Sequence, residues 1–263
     1  MNLSIAVVTA GKPYAHKTLS QLREWANLLG AQLVIAGDKD EGAFIAVQYA
    51  HRVVNVEITN GLGESAIPAL VKACAHEWIL RFDDDETGSA AMLEWLQRGE
   101  WISENWDAYS FPRANLWGDE NHFITNAPLW EDKQTRLTRR DILARWENKV
   151  HAGQPASRNA DVSAMLLHHK FLVRTYAERQ ETARHYDSLR AGAGTDDHFG
   201  RFTLPELFFV NGVNVREVGS GAVELGQWVN TGELVECSRK TGRDSTAIGK
   251  SGWDPSRGNL YAA

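Results

Sequence analysis

The segment Trp78-Ile79-Leu80-Arg81-Phe82-Asp83-Asp84-Asp85-Glu86 joins an almost wholly apolar run to four consecutive acids. A short apolar run closed by polar residues reads as a strand buried on both faces, as in a parallel sheet. Acids placed directly after it stand at the strand's carboxyl end, where open α/β sheets bind their ligands. Three adjacent aspartates repel one another, and become favourable once a divalent cation sits among them. In an extended segment Asp83 and Asp85 point to the same side, so both can share one ion. The same tripeptide standing alone reads equally well as a solvated turn, with Asp85 or Thr87 capping the next helix. The buried strand in front of it tips the reading towards a ligand site.

Upstream, the pattern predicts three more strands and two helices. Ile5-Ala6-Val7-Val8 is a buried run closed by Thr9-Ala10-Gly11. Leu22, Trp25, Ala26 and Leu29 recur at helical spacing, and Gly30 supplies the stop. Gln32–Ala36 predicts a second strand ending at Gly37-Asp38, and Val53–Ile58 a third ending at Thr59-Asn60-Gly61. Ile67, Leu70, Val71, Cys74 and Ala75 trace one face of a helix, with Pro68 tolerated in its first turn. Alternating strands and helices call for a doubly wound, mostly parallel sheet with helices on both faces. Residues 113–130, rich in Asn, Trp, Gly and Pro, read as irregular loop. Thr135–Arg139 predicts a strand, and Phe171–Arg190 one long helix.

Composition narrows the function classes. The 263 residues are 43% hydrophobic and 24% charged, ordinary values for a globular α/β domain. A net charge of −6 disfavours a nucleic-acid backbone as the main partner, because phosphate binding wants a basic face. The cysteines, Cys74 and Cys237, lie far apart, and Cys74 falls on an apolar helix stripe, so a buried free thiol is expected. The first residues lack the basic start of a signal peptide, and no stretch approaches the about 20 apolar residues of a membrane helix. A cytoplasmic location is the expectation.

Three motifs in order carry a family resemblance. Asn60-Gly61-Leu62-Gly63, a helix, and Trp78–Asp85 resemble the family 2 glycosyltransferases of the GT-A fold, whose Asn/Gly loop precedes a strand ending in Asp-x-Asp. Gln134-Thr135-Arg136-Leu137-Thr138-Arg139-Arg140 followed by Val150-His151 is similar to a stretch of their lipopolysaccharide-core-type members. Leu166-Leu167-His168-His169-Lys170, running into a helix with Arg179 and Tyr186, resembles their His-Tyr-Lys segment. The resemblance covers residues 3–210. It implies one GT-A-like catalytic domain over 1–215, with a nucleotide-sugar half at 1–112, an acceptor half at 113–215 and an extension at 216–263.

The resemblance also implies roles. Thr9, Ala10, Asp38, Asp83 and Asp84 would contact a nucleotide-diphosphate sugar, and Asp85 with Asp83 would bind a divalent metal. His168, or after it His151, would complete the metal site. Imidazole suits Mn2+ better than Mg2+, so Mn2+ is favoured. The Arg that many relatives carry after the Asn/Gly loop is replaced here by Ser65-Ala66-Ile67-Pro68, which leaves the base open. For direct displacement the acceptor hydroxyl needs a general base. Family members use an acid of a Glu-Asp pair, which points to Asp132 and then Glu131; a surface ion-pair cluster with Lys133 and Arg136 is the competing reading. Trp117 and Trp130 could stack on an acceptor sugar, although most of the ten tryptophans are expected in packing. Arg113, Arg136, Arg139 and Arg140 could hold phosphate. The acceptor expected is a glycan, a lipid-linked sugar or another small molecule. Two alternatives stand beside this reading: a nucleotidyltransferase of related fold, and a non-catalytic module that binds nucleotide-sugar or glycan.

Overall fold

A computed structural model describes residues 2–146, 156, 158–196, 199–209 and 212–218. The described residues form two compact units. The first comprises the chain up to Arg113 together with Lys133–His168, and the second Ala114–Asp132 with the residues from His169 onward.

The first unit opens with β1 (Leu3–Thr9), α1 (Ala15–Leu29), β2 (Gln32–Asp38), α2 (Lys39–Tyr49), β3 (Arg52–Val56), α3 (Ile67–Ala73) and β4 (Trp78–Asp83). These four strands lie parallel in the order β3-β2-β1-β4. Their register pairs Thr9 with Gly37, Asp38 with Val56 and Val8 with Asp83, so the carboxyl ends of β1, β2 and β4 come out level. Period-two alternation then sorts the side chains. Leu3, Ile5 and Val7 pack with Leu22 and Trp25 of α1 and Ile45 of α2, while Ala6, Val34 and Ala36 pack with Leu70 and Val71 of α3. Helices therefore cover both faces, as the strand–helix alternation predicts. Each fully buried Leu, Ile or Val contributes roughly 1.5–3 kcal/mol.

α2 is not legible from residue spacing, for a physical reason. Its apolar residues are not confined to one stripe: Ile45, Ala46 and Tyr49 pack on the core, whereas Phe44 is 70% and Val47 63% exposed. The start of α2 is held, beside that packing, by a contact without side chains. A Cβ on Gly37 would come within 2.5 Å of the Gly42 carbonyl carbon, one on Gly42 within 2.6 Å of Thr9 O, and one on Gly11 within 2.6 Å of the Glu41 carbonyl carbon. Three glycines thus let the first turns of α2 rest backbone-to-backbone on the ends of β1 and β2.

Cys74 caps α3, buried, with its thiol donating to Leu70 O at 3.3 Å. Burial pushes its pKa up to about 12. At pH 8 the folded-state thiol is therefore protonated and inert. Iodoacetamide is expected to leave the Cys74 peptide unmodified in native protein and to label it fully in guanidinium; mass spectrometry of the two digests decides. Rapid native labelling would refute the burial.

After β4 come β5 (Glu86–Gly88), α4 (Ala90–Arg98), β6 (Ala108–Asn115), β7 (His122–Ile124), β8 (Asp132–Arg139), α5 (Arg140–Leu143), β9 (Asn159–Asp161) and β10 (Leu166–His168). The sheet continues as β4-β8-β6-β10-β5, with β9 beside β6. β8 runs antiparallel to β4, pairing Trp78 with Arg139 and Leu80 with Leu137. β10 runs antiparallel to β5, pairing His168 with Glu86. The 113–130 stretch expected as loop contains the end of β6 and the short β7.

In the second unit α6 (Lys170–Val173), α7 (Tyr176–Leu189), α8 (Pro205–Phe208) and β11 (Val215–Glu217) follow, and β11 pairs antiparallel with β7. The single helix expected over 171–190 is two. Thr175 interrupts it, accepting a hydrogen bond from Glu178 N while the Glu178 carboxylate accepts from Thr175 N. Such a capping box starts a new helix rather than continuing an old one. Trp117, Ile124, Leu129 and Val215 form this unit's apolar cluster.

Candidate active site

The level strand ends bring three loops of the first unit together. Gly11 N donates to Thr9 Oγ1 at 3.1 Å, and that hydroxyl donates to Asp84 Oδ2 at 2.9 Å. The end of β1 is thereby tied to the acidic loop after β4. At the end of β2, Asp38 Oδ1 accepts from Ile58 N at 2.8 Å, which fixes the start of the Asn/Gly loop. Ala10 lies half-buried beside Thr9. In that loop Asn60 adopts φ 53°, a left-handed conformation that asparagine tolerates better than most residues.

The acids do not depend on a dication alone, because the chain brings its own cations. Arg136 of β8 donates through Nε and Nη2 to both oxygens of Glu86, at 2.9 and 2.6 Å, and through Nη2 to Asp83 Oδ2 at 2.7 Å. Arg81 donates to Asp83 Oδ1 at 2.6 Å, and Arg113 reaches Glu86 Oε1 at 3.4 Å. Glu86 is fully buried and Arg136 only 2% exposed, so this is an interior charge network. Burial by itself would raise the pKa of Asp83, but Arg136 and then Arg81 outweigh it and hold the carboxyl below the ordinary range. Arg113 and Arg136, considered above as phosphate ligands, are thus engaged with the acids of their own unit.

Asp85 differs from Asp83. It is 5% exposed, and its Oδ1 lies 3.5 Å from Nε2 of His168, itself 7% exposed. The pairing follows from the sheet: the β5–β10 ladder sets His168 opposite Glu86, the neighbour of Asp85. The 82 residues of intervening chain make this proximity invisible to spacing arguments. Among the described residues no three His, Cys, Asp or Glu side chains gather as a complete metal cage. A carboxylate oxygen and an imidazole nitrogen at this separation still suit one ion. Two donors, each about 2.1 Å from a metal, stand roughly 3 Å apart when adjacent in its coordination sphere.

Most of the remaining candidates fall in the second unit or outside the described residues. Glu131 is exposed and Asp132, which opens β8, is half-buried. Trp117 is 3% exposed, its ring meeting Phe171 edge-on at 5.3 Å. Trp130 is half-buried with its ring 4.7 Å from Phe123. Lys133, expected near Asp132, pairs with Asp161 at 2.6 Å. Arg179 is buried against Glu206 and between the rings of Phe171 and Tyr176. His151 lies outside the described residues, as does all of the expected extension beyond residue 218. Sequence reasoning missed Arg81 and Glu86 as parts of the acid network. The available signal was a lone cation inside an apolar strand, two residues before the acids.

No protein-family model and no curated protein sequence matches the chain. Solved structures do. TarS from S. aureus, residues 1–349, is 14% identical over 72% of this chain and 66% of its own, at a TM-score of 0.47. A mannosyltransferase from Pyrobaculum calidifontis, PcManGT, solved with GDP-Man and Mn2+, is 13% identical over 71% of this chain and 63% of its own, at 0.49. The CMP:2-keto-3-deoxy-manno-octonic acid synthetase bound to CTP is 12% identical over 62% of this chain and 91% of its own, at 0.41. This chain thus spans slightly less than two thirds of the TarS fragment and of PcManGT. Among the described residues no helix is long and apolar enough to cross a membrane.

Proposed function

We infer that this protein is a metal-dependent glycosyltransferase that moves a sugar from a nucleotide-diphosphate donor to an acceptor hydroxyl, with inversion. The observation that carries the reading is the meeting of Asp85 and His168, two buried ligand-type side chains from distant parts of the chain, at the carboxyl end of the sheet. Together with metal-bound diphosphate oxygens and water they meet the needs of Mn2+, which requires few protein ligands when phosphates supply the rest. When bound, the ion neutralises charge on the departing nucleotide. Thr9, Ala10 and Asp38 line the same edge and are assigned to the nucleoside. Asp84 keeps the β1 loop against the acidic loop through Thr9 Oγ1.

Asp132, and after it Glu131, is assigned as the base that takes the proton of the acceptor hydroxyl. Of the two candidate stacking residues, Trp130 has the more open ring and is assigned to the acceptor, a glycan, lipid-linked sugar or other small molecule. A nucleotidyltransferase is the weaker reading, because such enzymes carry a Gly-rich basic loop after the first strand, and here that loop has only Gly11-Lys12.

A thermal-shift panel of UDP, GDP, CDP, UDP-glucose and GDP-mannose, each with Mn2+ or with EDTA, tests the assignment. One nucleotide should raise the melting temperature by several degrees with Mn2+ and by little in EDTA, since a ligand at about 100-fold its Kd stabilises by roughly 2.7 kcal/mol. A flat response across the panel would defeat the transferase reading.

A further inference from the structure

We propose that Asp83, the first acid of the Asp-x-Asp pair, is a positioning residue that bridges two like-charged arginines, and that it ligates neither the metal nor the donor. The inference rests on the transferase reading for its ligand half, and on geometry alone for the other.

The strand register creates the problem that Asp83 solves. Leu80 pairs with Leu137 across the antiparallel β4–β8 ladder, so Arg81 and Arg136 are the next residues along the two strands. Like charges at such positions repel, and the strain shows in Arg81, whose pKa is lowered by burial first and by Arg136 second. Asp83 gives one oxygen to each, Oδ1 to Arg81 at 2.6 Å and Oδ2 to Arg136 at 2.7 Å. Its backbone N–H donates to Glu86 Oε2 at 3.2 Å, which locks the turn between the two acids. Arg81 depends on this contact in particular. Its Nε has no hydrogen-bond partner among the described residues, and its guanidinium otherwise lies over the Trp146 ring at 5.5 Å.

Asp83 is not sealed away, since 43% of its side chain is exposed. Its orientation is what removes it from ligand duty, because both oxygens point back at cations. A dication placed on the same carboxylate would stand beside two guanidiniums and be repelled by both. Asp85, two residues on, faces His168 instead.

The experiment compares Asp83→Asn, Arg81→Gln and Asp85→Asn in two readouts. Melting in EDTA reports the clamp. Titration of Mn2+ by electron paramagnetic resonance, with UDP or GDP present, reports ligation. Asp83→Asn and Arg81→Gln should each lower the EDTA melting temperature by about 5 °C or more, while changing Mn2+ affinity by less than about threefold. Asp85→Asn should do the reverse, with a loss of affinity of at least about thirtyfold at an unchanged melting temperature. If Asp83→Asn does not fold, Arg81→Gln carries the test, because it removes the partner and leaves the carboxylate free to ligate. Loss of Mn2+ affinity in Asp83→Asn equal to that in Asp85→Asn would overturn the proposal, as would an unchanged EDTA melting temperature. A wild-type protein blind to every nucleotide–Mn2+ pair defeats the transferase reading instead, and the EDTA melts then still decide whether Asp83 is the clamp.

Discussion

Replacing Asp85 with alanine is expected to abolish Mn2+-dependent nucleotide binding and to reduce sugar transfer by about a hundredfold or more, with the fold intact. Preorganised charge stabilisation of a leaving group is commonly worth 10²–10³ in rate. The magnitude of the repulsion explains why Asp85 rather than Asp83 should show this effect. At an effective dielectric of about 20, a dication and a guanidinium about 5 Å apart repel by roughly 6–7 kcal/mol. An ion on Asp83 would meet that cost from both Arg81 and Arg136, whereas Asp85 lies against His168. Stability should not suffer in the variant, because removing a buried carboxylate relieves repulsion within the row Asp83–Glu86. Mn2+ titrations and initial rates with the donor found by the panel provide the check. A variant that still binds Mn2+ like the parent would remove Asp85 from the site.

Arg136→Met is expected to destabilise the first unit by about 3–5 kcal/mol, the usual cost of stranding a buried charge. Three hydrogen bonds vanish together, and Glu86, with no exposed surface, keeps only the distant Arg113 at 3.4 Å as a cation, beside the Asp83 N–H at 3.2 Å. Chemical denaturation at pH 7 measures the loss. Its pH dependence gives a second readout. The folded-state pKa of Asp83 is depressed, so its contribution is present above the unfolded value of 3.8 and is lost as the pH falls through and below that value. Arg136 is the largest cause of that depression after burial is overcome, so Arg136→Met should unfold with a flatter acid limb than the parent. A loss under about 1 kcal/mol, or an unaltered acid limb, would show that the network is not what holds the loop.

The parallel half of the fold was legible because burial on both faces writes itself as unbroken apolar runs. The runs at Ile5–Val8, Gln32–Ala36 and Trp78–Phe82 all became strands with carboxyl ends at one edge. α2 left no such trace, since the exposed Phe44 and Val47 blur its apolar stripe and glycine contacts attach its start. The break at Thr175 was written in the chain as Thr175 with Glu178 three residues on, but it lay inside a stretch whose spacing suggested one continuous helix. For the site, the acidic loop could be placed from its strand alone. The partners could not: His168 reaches Asp85 through the β5–β10 ladder, and Arg136 reaches Asp83 and Glu86 from β8, both contacts between residues fifty or more positions apart.

The glycine contact at the start of α2 has a consequence for altering the protein. Peptide groups there touch with no side chain between them, so the geometry linking Thr9, Gly37 and Glu41 cannot be adjusted by repacking. That seam is a fixed point of the loop cluster. Under the proposed nucleotide-sugar reading, efforts to change which nucleoside is accepted would work on the Thr59–Ala66 stretch, whose approach Asp38 fixes through Ile58.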